Sequence, residues 1–264
     1  MTLFAAIIAV TNLCGAVGVD THGARVVSYV PVCGSEVFFT SETGTGGMPL
    51  CWPWFAGLGP DGARRHGIAR YLDFSVENVT NRTPWDSEII LRLESCEATR
   101  RFFPHDFTLT VSVRLTERLS VSMTGENTGN EPFAVTEAFH PYFAVGDTVR
   151  SRVEERKNHE RRLVDPADGG ELSLTCSGGG FRVWRPNRES HLSKSVSAIK
   201  PGDWRRFICV EFGTFTSDRV HVLKPGERHT LAGTIRRLPR PLDRVAGTDL
   251  FDGDGMALDA ADGM

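Results

Sequence analysis

The stretch LTVSVRLTERLSVSMT, residues 109–124, decides the fold class of this chain. Apolar residues alternate with Thr, Ser or Arg along 109–115 and again along 119–124. This period of two is typical of a strand that buries one face and exposes the other. Thr116-Glu117-Arg118 separates the two runs, so the stretch predicts a β-hairpin.

Similar short runs recur along most of the chain. Residues 220–223 and 229–235 flank a Pro225-Gly226 turn, which predicts a second hairpin. No long helical period stands out, so we expect an all-β fold, a large antiparallel β-sandwich that forms one domain over residues 1–238. Residues 3–10 are apolar but follow no basic residue, which favours a first strand over a weak signal peptide.

The C-terminal segment differs in composition from the rest. Residues 239–264 are rich in Asp, Gly and Ala, and residues 248–264 carry only acidic charges. Such a segment has too little apolar surface to form a core, so it predicts a disordered acidic tail. The alternative is an acidic lid over a basic site.

Composition excludes several classes of partner. The chain has 264 residues, 30 basic and 33 acidic, with a net charge of -3. This balance argues against nucleic acid or an anionic membrane as a partner, and no apolar run approaches the roughly 18–20 residues of a membrane span. The six cysteines form no C-x-x-C pair, so we expect neither a zinc site nor a disulfide framework. We expect a cytoplasmic protein, and a monomer.

Residues 45–70, TGGMPLCWPWFAGLGPDGARRHGIAR, hold the densest set of functional residue types. The Gly46-Gly47 pair permits close approach of the backbone to a ligand, and the indole of Trp54 offers a flat face to a sugar ring. His66, beside Arg65 and Arg70, offers donors to hydroxyls or oxyanions. The alternative is a buried aromatic turn beside a solvated basic loop.

Two further residues have the character of proton carriers. The alternation over 133–144 places His140 and Tyr142 together on a face with small neighbours. Glu211 lies in an apolar strand, residues 207–212, where a carboxylate needs a partner or an altered pKa. The alternatives are a His140–Tyr142 pair that only bridges a sheet, and a Glu211 that an arginine neutralises.

Taken together, these blocks resemble the aldose 1-epimerase superfamily, and within it the hexose-6-phosphate mutarotases. The resemblance runs from about residue 15 to about residue 238. It rests on blocks in a matching order at residues 23–29, 36–41, 46–55, 66–70, 137–143 and 209–213.

The resemblance implies a galactose mutarotase-like supersandwich that opens and recloses a sugar ring by proton transfer, without cofactor or metal. His140 is expected to be the general acid, with a pKa near neutrality, and Glu211 an ionised general base. The implied partner is a sugar or sugar phosphate. The other expected substrate contacts are His66 near the ring oxygen, Arg70 as the main phosphate contact, Arg65, Tyr142, Trp54 and Asp203.

Three positions depart from the family pattern. Thr45 stands where relatives usually carry a phosphate-binding Arg. Residues 184–187 read WRPN where relatives show WNPW. Ser197 aligns with a usual Asp, and a small shift makes Asp203 its replacement. Arg65 or Arg185 could compensate for the first change, although Arg65 could equally be a solvated loop residue.

These departures leave several functions open. The leading prediction is an isomerase that interconverts the α and β anomers of a hexose 6-phosphate. The alternatives are a mutarotase of unphosphorylated aldoses and a non-catalytic carbohydrate-binding paralogue. A glycoside hydrolase is disfavoured, because it normally needs two facing carboxylates and only Glu211 qualifies.

Overall fold

The computed structural model of the protein describes residues 6–32, 34–157, 159–165, 169–190 and 199–239. Its one α-helix in this part of the chain, α1, covers only Glu97–Arg100. The strands are β1 Ile7–Asn12, β2 Gly15–Asp20, β3 Arg25–Pro31, β4 Leu50–Cys51, β5 Ser75–Thr83, β6 Asp86–Glu94, β7 Phe107–Leu115, β8 Leu119–Asn127, β9 Phe133–Val135, β10 Ala138–Phe139, β11 Tyr142–Ala144, β12 Arg152–Arg156, β13 Glu160–Asp165, β14 Gly170–Ser177, β15 Gly180–Trp184, β16 Phe207–Gly213, β17 His221–Leu223 and β18 Arg228–Leu238.

The largest sheet has eight antiparallel strands in the order β12-β13-β14-β18-β8-β7-β6-β5. The hairpin predicted from residues 109–124 is confirmed, with β7 and β8 paired from Phe107↔Asn127 to Leu115↔Leu119. The apolar positions of both strands are buried, and most of the polar positions between them are half-buried. The predicted all-β class is therefore confirmed, and this sheet forms one side of the core.

A second sheet is built around β16. One edge of β16 pairs with β10 and β11, and its other edge pairs with β15. β4 joins beyond β10. The remaining sheets are small, β1-β2-β3 and the pair β9-β17.

The hairpin predicted across Pro225-Gly226 is wrong. β17 pairs with β9, whereas β18 lies between β8 and β14 in the large sheet. β18 pairs with β8 from Arg228 to Ile235 and with β14 from Ala232 to Leu238, whereas β17 takes β9 as its partner. The turn itself forms, with Gly226 at a φ of 78°.

The single strand expected over residues 133–144 is divided into β9, β10 and β11. Pro141 lacks an N–H and interrupts the ladder between β10 and β11. The backbone N–H of His140, just before it, donates to the Pro49 carbonyl at 2.8 Å instead of to β16. This break sets His140 between two short strands that both pair with β16.

The two faces of β16 explain how the site is positioned. Ile208, Val210 and Phe212 point into the main core, which they share with the large sheet. The alternate residues Phe207 and Cys209 belong to a separate cluster on the opposite face. Glu211 is in phase with that second face, as the sequence pattern predicts, and so points away from the main core.

Some predictions concern residues outside the described ranges. Ser197 and nearly all of the acidic segment, residues 240–264, fall there, and so do residues 3–5 of the predicted first strand. Among the helices that are described, none has the length and apolar character needed to cross a bilayer.

Candidate active site

A cavity of about 420 Å³ opens on the second face of the β16 sheet. Six of the predicted site residues contribute to its wall: Arg65, His66, Arg70, His140, Tyr142 and Glu211. The rest of the lining consists of Phe55, Ala56, Arg182, Trp184, Asn187, Glu189 and Ser190.

The two predicted proton carriers meet in this cavity. His140 Nε2 lies 3.2 Å from Glu211 Oε1, and both side chains are at least nine-tenths buried. The pair forms because the break after β10 faces the middle of β16. His140 Nδ1 and Glu211 Oε2 have no hydrogen-bond partner among the described residues. Each residue therefore has one buried polar atom that no group in the described part of the chain satisfies.

Burial and nearby arginines set the charge of this pair. Burial, followed by Arg70 and His66, holds the pKa of His140 well below its usual value of 6.5. Burial raises the pKa of Glu211 to about 7, although Arg182 and Arg70 oppose the rise. The expectation of a His140 pKa near neutrality and an ionised Glu211 is thus reversed for the free protein. At and below pH 7 the proton of this pair resides mainly on Glu211.

His66 enters the cavity from a tightly packed turn. It has a φ of 67°, an uncommon value for a residue with a side chain, and Gly67 follows at 81°. A Cβ on Gly67 would lie 2.0 Å from the Trp52 carbonyl oxygen, so only glycine fits there. The unusual backbone aims the His66 ring at His140, with ring centroids 5.2 Å apart and planes at 82°.

The protonation of His66 follows from its contacts. Its Nδ1 accepts from the Ala56 backbone N–H at 3.4 Å and lies 3.3 Å from Cys51 Sγ. Burial and the charges of Arg70, Arg65 and Arg182 lower its pKa to about 3. His66 is therefore neutral, and its other nitrogen, Nε2, carries a proton that it can donate.

Three guanidinium groups line the cavity, those of Arg65, Arg70 and Arg182. Arg70 is anchored through Nε to the Leu50 carbonyl at 2.9 Å and is near Cys51 Sγ. None of the three makes an ion pair within the part of the chain that the structure describes. Such a concentration of uncompensated positive charge suits an anionic ligand.

Aromatic rings complete the wall. Tyr142 stacks on His140 with centroids 5.2 Å apart, and Phe55 meets His66 edge-on at 5.1 Å. Burial raises the pKa of Tyr142, so its hydroxyl stays protonated. Trp184 lines the cavity while packing against Phe207. The wall thus combines flat apolar faces with a few polar groups, as small-molecule sites do.

Two predicted substrate contacts lie outside the lining. Trp54 is 5% exposed, covers Gly59 and donates its indole N–H to the Arg64 carbonyl at 2.9 Å. It packs the loop, and Trp184 and Phe55 supply the aromatic wall instead. The Asp203 carboxylate accepts from the Lys200 backbone N–H, which caps a local turn.

The proposed substitutes for the missing arginine also need correction. Arg185 donates to the Thr148 carbonyl at 2.8 Å and is absent from the lining, whereas Arg65 lies in it. Thr45 caps a turn through its backbone N–H to the Ser41 hydroxyl. Sequence analysis missed Arg182, which lies directly opposite Glu211 in the pairing of β15 with β16. The sequence gives no local sign of this contact, because only the register of β15 on β16 places Arg182 beside Glu211.

Comparison with known proteins identifies the family. The family model described as aldose 1-epimerase matches residues 17–162. A protein of Escherichia coli K12 with the name "Putative glucose-6-phosphate 1-epimerase" is 32% identical over 257 residues, covering 81% of this chain and 84% of that protein. A Salmonella typhimurium protein of the same name is 34% identical over 160 residues and 58% of this chain. The matched part spans about half of that relative, 53% of its length.

Solved structures share the fold. A crystal structure described as a "putative mutarotase" of Salmonella typhimurium superimposes with a TM-score of 0.78 at 24% identity, covering 89% of this chain and 90% of that one. A galactose mutarotase-like protein of Lactobacillus casei gives a TM-score of 0.69 at 18% identity, covering 88% and 100%. The supersandwich expected from the sequence is thereby confirmed.

Proposed function

The chain belongs to the aldose 1-epimerase family, and from that premise we propose that it interconverts the α and β anomers of a hexose 6-phosphate. The single observation that carries the proposal is the buried His140–Glu211 pair, 3.2 Å apart in a cavity of about 420 Å³. Mutarotation needs one group to take a proton and another to give one. This pair provides both.

The proposed reaction has three steps. Glu211 removes the proton of the anomeric hydroxyl while His140 protonates the ring oxygen, and the C1–O5 bond breaks. The aldehyde end then rotates about the C1–C2 bond. The ring closes on the other face of the carbonyl, and the two residues exchange roles. His66 donates a hydrogen bond from its Nε2–H to the sugar and keeps its proton throughout.

The charge of the substrate makes this assignment workable. In the free protein Arg70 and Arg182 are among the causes of the low His140 pKa. A bound phosphate would neutralise part of their charge, so the His140 pKa rises when the substrate binds. The same arginines lower the Glu211 pKa, so that pKa rises as well and the pair keeps its one proton. Catalysis then uses the form of the pair in which His140 carries this proton and Glu211 is ionised.

The three arginines of the lining, which make no ion pair among the described residues, favour a phosphorylated sugar over a free one. They outnumber the two carboxylates of the lining, Glu189 and Glu211, so an anionic sugar balances the charge of the cavity better than a neutral one. Arg182, which is opposite Glu211 in the sheet, takes the place of the arginine that relatives carry at position 45. Arg65 and Arg70 supply the other two charges.

Two further proposals concern the oligomeric state and the cellular compartment. We propose a monomer in the cytoplasm, whose partner is the small-molecule substrate. The five described cysteines, 14, 51, 96, 176 and 209, are all free, which fits a reducing compartment. A non-catalytic sugar binder would not need an acid and a base within hydrogen-bonding distance of each other.

Substrate selectivity tests the proposal. Exchange between anomers of glucose 6-phosphate and of free glucose is measured by NMR at equal concentrations, with and without protein. We expect exchange well above the spontaneous rate for glucose 6-phosphate and little for glucose. Equal enhancement of both sugars would assign a general aldose mutarotase, and enhancement of neither would contradict the proposal.

A further inference from the structure

Glu137, His221 and His229 form a second cluster of ionisable side chains, outside the cavity lining. Glu137 lies in the bend between β9 and β10, His221 opens β17, and His229 lies in β18. One ligand atom from each comes within 4.8 Å of the other two. Imidazole nitrogen and carboxylate oxygen are donors that Zn²⁺ and similar ions use in proteins.

The cluster contains two buried polar atoms without a partner. Glu137 is fully buried, and its Oε1 shares a short hydrogen bond with His229 Nδ1. Its Oε2 has no partner within the described residues, and neither does the buried Nε2 of His221. An unsatisfied buried acceptor is costly, and this arrangement leaves two side by side. One cation would satisfy both atoms.

The surroundings of His221 suit a metal ligand. The His221 ring also hydrogen-bonds the Gly178 backbone, which orients it and leaves Nε2 as the free donor atom. The rings of His221 and His229 lie face to face, with centroids 3.5 Å apart and planes at 19°. A metal lies near the plane of each ligating imidazole, so binding must tilt one ring out of this stack.

We propose that Glu137, His221 and His229 bind one Zn²⁺ or a similar first-row divalent cation. Cysteine spacing gave no sign of this site because none of the three is a cysteine. Water completes the coordination.

The site is structural, because it braces the strands of the active site. The Glu137 N–H donates to the Thr214 hydroxyl at 3.0 Å, and its carbonyl accepts from the Thr214 N–H at 2.8 Å. Glu137 lies three residues before His140, and Thr214 three residues after Glu211. A metal on Glu137 therefore ties β17 and β18 to the two strands that bear the catalytic pair.

The test uses the full chain after dialysis against a chelator, with Co²⁺ or Zn²⁺ alone as the probe. Co²⁺ titration followed by visible absorption gives the stoichiometry and the ligand type, and thermal unfolding with Zn²⁺ gives the stabilisation. We expect one ion per chain, a spectrum without a strong thiolate charge-transfer band, and a Tm increase of about 5–10 °C at a 100-fold excess over Kd.

Three variants separate this site from adventitious binding. His221→Asn and the isosteric Glu137→Gln should lose the ion and the Tm increase. His22→Asn, at a surface histidine paired with Asp73, should keep both. If Glu137→Gln does not fold, His221→Asn decides alone. Absence of binding, or equal binding in His221→Asn and the parent, would overturn the proposal.

Discussion

At the residue scale, burial and charge decide which member of the His140–Glu211 pair holds the proton. Burial raises the pKa of Glu211 to about 7. Burial, followed by the charge of Arg70, holds the pKa of His140 well below its usual value. The pair therefore carries its proton mainly on Glu211 in the free protein.

The shared proton has a measurable consequence for pH dependence. The active pair holds one proton, and it loses that proton as pH rises through the Glu211 pKa of about 7. We expect kcat/KM for glucose 6-phosphate to fall about tenfold per pH unit above that value. The second pKa of the substrate's phosphate is near 6, so phosphate ionisation does not cause the fall in kcat/KM above pH 7.

Exchange NMR between pH 5.5 and 9 measures this limb, after subtraction of the spontaneous rate. Glu94→Gln, at an exposed carboxylate, serves as the control and should leave the profile unchanged. A kcat/KM that rises between pH 7 and 9 would mean that Glu211 ionisation alone limits the rate, with neutral His140 as the donor.

At the element scale, the sequence predicts strands with one buried face. It does not predict which strands pair when they are far apart in the chain. The β7–β8 hairpin follows from alternation within 16 residues, 109–124. The position of β17 depends instead on pairing with β9, which comes from a distant part of the chain. Arg182 was missed for the same reason, since only the β15–β16 register brings it opposite Glu211.

Arg182 and Arg185 form a natural pair for a test of phosphate recognition. Arg182 lines the cavity, whereas Arg185 is bound to the Thr148 carbonyl outside it. Arg182→Met should raise KM for glucose 6-phosphate about tenfold or more, as loss of a charge-assisted hydrogen bond does. Steady-state exchange kinetics give KM for both sugars. KM for free glucose should not change.

Arg185→Met is the matched control and should leave KM near the parent value. Arg182 also lowers the Glu211 pKa, so its removal should move the alkaline limb of the pH profile to higher pH. An unchanged KM together with an unchanged limb would remove Arg182 from the site.

The His66 turn offers a second matched pair, at two glycines with similar backbone angles. Gly67 has a φ of 81° and no room for a Cβ, whereas Gly62 has a φ of 76° and open space. Gly62→Ala should cost only the ~1 kcal/mol of left-handed strain. Gly67→Ala adds a clash with the Trp52 carbonyl, so it should lower Tm by several degrees more.

Thermal unfolding and exchange kinetics measured together check this pair. Gly67→Ala should also lose activity, because the displaced turn carries His66 and Arg70. Equal Tm values for the two variants would contradict the packing of the turn against Trp52.

At the scale of the whole molecule, the fold class and family blocks were predictable because they rest on local patterns that recur in order. The convergence of His66, His140 and Glu211 on one cavity required the sheet built around β16. Trp54 lies in a motif that suggested ligand binding, but its indole packs against Gly59 and does not line the cavity. The Glu137 cluster had no sequence signal, because its three residues come from separate parts of the chain.

The most direct test of the account compares anomer exchange of glucose 6-phosphate for the parent protein, His140→Gln and Glu211→Gln. Circular dichroism and Tm confirm that each variant is folded. We predict that each substitution lowers the enhancement over the spontaneous rate by about 100- to 10,000-fold. Parent-like exchange rates in both folded variants would contradict the claim that this fold assembles His140 and Glu211 into an acid–base pair.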